Sequence, residues 1–166
     1  MTREPASPPC YAAGANDAYM GYAGRDEIVA ALNELLEAER AGARVALAAA
    51  KSGATPGYAS LMRDVRGDEA RWCAMLSRHL RCLGVAPSRR TGAFHGKAMA
   101  IADPWDRLAF LNRGQAWVVR KLEALTPRVR DESLHADLRA MLESHRTNIE
   151  RADMLLDGRK DGSSRL

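Results

Sequence analysis

Glu39, Glu69, Gln115 and His145 each interrupt an otherwise apolar stripe at helical spacing, and carboxylates with an imidazole are side chains that hold a divalent cation. The first stripe runs Ile28, Leu32, Leu35, Glu39, Gly42 or Ala43, Ala46, Ala50, and the second Leu61, Val65, Glu69, Trp72, Leu76, Leu80. The third runs Leu108, Leu111, Gln115, Val118, Leu122, Leu125, and the fourth Leu134, Leu138, Met141, His145, Ile149, Ala152. Residues three and four apart share a helix face, so each polar residue points where its apolar neighbours point.

Spacing also sets their height. Glu39 and Glu69 are each 15 positions from residue 54, inside the breaker segment Ser52-Gly53-Ala54-Thr55-Pro56-Gly57. Gln115 and His145 are likewise each 15 positions from residue 130, beside Pro127. At the helical rise, all four lie roughly 22 Å from a turn. The elements that must position them are helices of about Asp26 to Lys51, Gly57 to Leu83, Pro104 to Thr126 and Glu132 to Leu156. Asp103-Pro104 is an N-cap with proline at the first helical position; Asp131 caps the last helix, and Asp157-Gly158 reads as its stop. The connection Gly84 to Asp103 is long, with a short helix expected through Ala98 to Ala102. Short, long, short connections read as two antiparallel hairpins joined by a crossover, with both hairpin turns expected at one end. Residues 1–24 read as a flexible arm bearing Tyr11, Tyr19 and Tyr22, residues 25–157 as the folded domain, and 158–166 as a polar tail.

The 166 residues suffice for one domain, and few are β-branched or aromatic, so the chain reads as all-α. The formal charge is +4, but bases and acids interleave along the helices, as on a solvated face. The densest basic stretch is Arg78, Arg81, Arg89, Arg90 and Lys97, without the aromatic interleaving that stacks on bases, so nucleic acid is not an expected partner. Cys10, Cys73 and Cys82 are odd in number and form no Cys-x-x-Cys pair, which points away from a disulfide framework or zinc knuckle and toward the cytoplasm. Neither a signal peptide nor a membrane span is expected. Cys73 reads as an inert buried thiol, His79 as a rim residue, His95, His135 and Glu143 as exposed.

Glu39-Arg40-Ala41-Gly42-Ala43-Arg44, Asp68-Glu69-Ala70-Arg71-Trp72 and Leu142-Glu143-Ser144-His145 resemble the ferritin-like superfamily, in its rubrerythrin branch, over residues 26 to 156. The resemblance implies a four-helix bundle, in which a di-iron or di-manganese centre takes one Glu from each of two helices and a Glu-x-x-His motif from each of the others. Here Trp72 stands at one histidine position, Leu142 at a carboxylate position and Gln115 where a Glu is expected. Three of six ligands survive, so ferroxidase or peroxidase chemistry is not expected. Three readings stay open: one Fe, Mn or Zn ion on Glu39, Glu69 and His145; a ligand-free layer of hydrogen bonds; and a small-molecule pocket beneath Trp72. A non-catalytic interaction module acting through the basic crossover or N-terminal arm is the other functional class. A homodimer is expected from the resemblance and from Leu36, Leu47 and Val119 as spare apolar positions. Whether the chain is an enzyme, the sequence leaves open.

Overall fold

A computed structural model describes residues 20–52 and 54–163. They are all-helical, with no strand among them: α1 (Arg25–Ser52), α2 (Pro56–Cys82), α3 (Phe94–Met99), α4 (Pro104–Leu125) and α5 (Glu132–Ser163), with a 3-10 turn at Thr126–Arg128. The Thr55 hydroxyl accepts from Tyr58 N at 3.1 Å, and Pro56 follows it at the start of α2. The Asp103 carboxylate accepts from Trp105 N and Asp106 N at 2.9 Å, and Asp131 accepts from Leu134 N at 2.7 Å. These caps satisfy amide protons that the first helical turn leaves without intrahelical partners. α2 stops at Gly84, whose φ of 74° suits a residue without Cβ. Gly84 N donates to Arg81 O at 2.9 Å and Val85 N to Leu80 O at 3.0 Å, the paired bonds of a Schellman motif.

Each long helix packs on two others: α1 on α2 and α4, α5 on α4 and α2. Tyr58, at the start of α2, donates its hydroxyl to Pro104 O at 3.1 Å, so the α1–α2 turn lies at the end where α4 begins. Ala23, just before α1, donates to Arg128 O at 2.8 Å, so the α4–α5 turn lies at the other end. The expectation of both turns at one end is therefore wrong. A short-long-short pattern permits either arrangement, and here the long connection runs the full length of α1 to start α4 at the far end. The four polar residues still meet, because 15 residues is about half of each long helix and a midpoint is equally far from both ends.

The crossover is strapped to one stripe of α1. Asn33 Oδ1 accepts from Ser88 N at 2.8 Å, and Glu37 Oε1 accepts from Ser88 Oγ at 2.5 Å and Arg90 Nε at 3.2 Å. Arg40 donates to Ser88 O at 2.9 Å and Arg90 O at 2.6 Å. The short helix falls at Phe94–Met99 rather than Ala98 to Ala102 because the Phe94 ring is the anchor, stacked on Phe110 at 4.9 Å. α5 also overruns its expected stop. Gly158 is not in the left-handed conformation that ends a helix, and the added turn is held by Lys160 on Asp157 at 2.9 Å and Arg159 on Asp103 at 3.6 Å. The expected polar tail is thus helical to Ser163. Most of the expected N-terminal arm, including Tyr11 and Tyr19, lies outside the described residues.

The interior holds two apolar clusters. One gathers Leu32, Leu36, Trp72, Leu76, Leu122 and Leu138; the other gathers Val45, Tyr58, Leu61, Met62, Leu108 and Ala152. Leu36 is fully buried here, so it is no spare position for a partner, whereas Leu47 is exposed. Among the described residues no helix is long and apolar enough to cross a membrane.

Candidate metal centre

Between the two clusters lies the polar layer. Glu39, Glu69, Gln115 and His145 come from α1, α2, α4 and α5, and are 0%, 3%, 5% and 1% exposed. The stripes thus bring all four together as their spacing predicts. One ligating atom from each of Glu39, Glu69 and His145 lies within 4.8 Å of the other two. His145 Nδ1 is 3.0 Å from Met141 O, a carbonyl that can only accept, so Nδ1 carries the proton. In the neutral ring this leaves the Nε2 lone pair toward Glu39 Oε1, 3.1 Å away, as a ligating histidine requires. Glu39 Oε2 is buried without a hydrogen-bond partner. Glu69 Oε1 accepts from Gln115 Nε2.

Gly42, one turn after Glu39, makes room for Glu69. A Cβ there would stand 2.7 Å from Glu69 Cδ, closer than such atoms ever pack. Spacing left either Gly42 or Ala43 on the inner face of α1 and did not disclose this role, since a glycine on an apolar stripe signals a close approach but not by what. The layer is backed on the α2–α5 side by a network that the sequence reading missed. Asp68 Oδ2 accepts from Asn148 Nδ2 at 3.0 Å and Ser144 Oγ at 3.1 Å, and Trp72 Nε1 points to Ser144 Oγ at 3.4 Å. Asn148 falls three residues after His145, so the available signal was a second polar residue on the α5 stripe. Trp72 and Leu142 are both buried in the larger apolar cluster.

Electrostatics follow from burial. Burial and the neighbouring Glu39 charge hold the Glu69 carboxyl well above its ordinary 4.5, although Gln115 opposes this. Burial pulls the His145 imidazole down, but Glu39 and the Met141 carbonyl outweigh it and its value is raised above 6.5. Both groups bind protons more tightly folded than unfolded, so both contribute stability that is complete at acid pH and is lost as pH rises through their folded values. Chelated protein should therefore lose stability as pH climbs from the ordinary carboxylate range toward neutrality. Urea midpoints across that range test this, and Glu69→Gln should flatten much of the slope.

Cys73 is half-buried, and burial with the Glu39 and Glu69 charges pushes its thiol up to about 12, which makes it a poor nucleophile. His79 is buried rather than at the rim, with Nε2 2.7 Å from Asp137 Oδ2, which Arg78 also meets. Glu143 is exposed as expected and bonds Arg146. A cleft of about 500 Å3 reaches Glu39, Glu69 and Gln115 from the α1–α4 side, and Trp72 does not line it.

The sequence family described as a domain of unknown function, DUF6306, matches residues 26–154, nearly all of α1 through α5. The chain belongs to the DUF6306 family. No curated protein matches it. The DUF6306 match contains the whole polar layer and the crossover, so site and scaffold belong to one domain.

Proposed function

We propose that this DUF6306 chain is a ferritin-like four-helix bundle with a degenerate di-metal site, which binds one divalent ion, Fe, Mn or Zn, through Glu39, Glu69 and His145. The observation that carries this reading is the approach of three buried donor atoms to within 4.8 Å of one another. Two carboxylates neutralise a dication, and an imidazole completes a three-ligand set that suits these metals. The buried Glu39 Oε2 without a partner fits a cation better than it fits an apolar interior, where an unpaired carboxylate oxygen is costly. A second ion fits poorly, because Leu142, Trp72 and Gln115 supply no carboxylate or imidazole. A bound ion would supply Lewis-acid character. The chain's own groups hold the site: Met141 O fixes the His145 tautomer, Gln115 orients Glu69, and Gly42 gives Glu69 its space.

Elemental analysis of the purified protein tests the reading, with reconstitution using iron, manganese and zinc in turn under anaerobic conditions. One equivalent of metal is expected, lost in both Glu39→Ala and His145→Ala. Protein that takes up no metal under any of these conditions would make the layer a ligand-free hydrogen-bonded device, which can fix helix register without adding stability. The interaction-module alternative has less support on the crossover, because Arg90 there pairs with Glu37 and Arg78 with Asp137.

A further inference from the structure

We propose that the cleft between α1, α3 and α4 binds a small aromatic molecule carrying a hydrogen-bond donor, a phenol or aryl amine in class. Its volume of about 500 Å3 falls in the range of pockets that enclose small organic ligands. Phe94, Phe110 and Trp117 line it, and all three are only half-buried within the chain. The Phe94 and Phe110 rings lie stacked, 18° apart in plane, and present an aromatic wall. Gly114 makes that wall possible: a Cβ there would stand 2.6 Å from Phe94 Cζ, so only glycine lets the ring lie against α4.

The floor is polar and one-sided. Gln115 turns its amide nitrogen to the Glu69 carboxylate, so its Oε1 is the remaining end, and that oxygen is buried without a partner. It is an acceptor. A buried acceptor left unpaired costs about 1–3 kcal/mol, which a ligand O–H or N–H would recover. In the metal-free protein a carboxylate head at the floor would face Glu39 and Glu69 and be repelled, although Arg113 and Arg120 also line the cleft. An aromatic body with a donor head matches walls and floor together. The inference stands on the cleft walls and Gln115, which is outside the proposed metal set, and His145 does not line the cleft. It therefore survives or fails separately from metal binding.

The probes are 4-methylphenol, toluene and 4-methylbenzoate, titrated into the full chain with and without chelator. Trp117 fluorescence and ligand-observed NMR report binding, and Trp117→Phe identifies the responding residue. 4-Methylphenol is expected to bind about tenfold tighter than toluene, the ratio expected of one buried hydrogen bond, with 4-methylbenzoate weakest in chelator. Gln115→Leu should erase the phenol preference while keeping toluene binding. Ala38→Phe, which fills the cleft from half-exposed Ala38 on α1, should abolish both, with circular dichroism reporting retained helix. Binding of none of the probes, equal binding of all three, or binding unchanged by Ala38→Phe would overturn the proposal. So would binding that appears only after Tyr11→Ala and Tyr19→Ala, since that gives the cleft to the chain's own phenols.

Discussion

His145→Ala is expected to lower the stability of the metal-free protein by about 3–5 kcal/mol, the usual cost of removing one member of a buried charge pair. Glu39 and His145 side chains are each 1% exposed and meet at 3.1 Å, and Glu39 Oε2 has no hydrogen-bond partner. Without the imidazole the carboxylate keeps its desolvation and loses its partner. The double change Glu39→Leu with His145→Leu removes both polar groups and should recover most of the loss, because apolar replacements of a buried pair are often neutral or better. Urea unfolding in chelator measures both. A cost below about 1 kcal/mol for His145→Ala would mean that water or another group reaches Glu39 and that the pair is not the buried unit described above.

Gly42→Ala is expected to destabilise by about 1–3 kcal/mol, in the sense opposite to helix propensity. Glycine to alanine inside an exposed helix gains about 1 kcal/mol, since glycine loses the most backbone freedom. At Gly42 the new methyl would enter the space of the Glu69 carboxylate, whose other side is held by Gln115. Glu69 must then move out of reach of Glu39 and His145, so metal retention should fall with stability. The Glu69→Ala background separates the two effects. With the carboxylate gone, Gly42→Ala should become stabilising by about 1 kcal/mol, and persistence of the penalty there would assign the strain to another neighbour.

Much of this molecule could be read from its residues. Three of the four long helices lie within a residue or so of where stripes, breakers and caps put them, and the fourth starts where Asp131 puts it, because the Ser52 to Gly57 breaker, Asp103-Pro104 and Asp131 are local signals that the tertiary structure does not override. The polar layer was legible for the same reason: a single Glu, Gln or His in an apolar stripe has only one direction to face. Other features depended on contacts between distant segments. Nothing near Phe94 says that its ring will rest on Gly114, so neither the position of α3 nor the cleft could be read in advance. The run of α5 past Gly158 depends on Asp103, more than fifty residues earlier in the chain. The end of the molecule at which α4 begins was likewise set by the Tyr58 and Ala23 contacts rather than by loop lengths.

The placement of the layer halfway along every helix separates the site from the wiring. Reversing a helix end for end leaves its midpoint where it was, so the order and direction in which the chain visits the four positions are not part of the chemistry. A redesigned protein that cut the long crossover and rejoined the same helices through other connections would keep Glu39, Glu69, Gln115 and His145 on one level. What such a rewiring would forfeit is the strap along Asn33, Glu37 and Arg40 with the cleft that α3 walls, which makes the crossover a part of recognition rather than of ion binding.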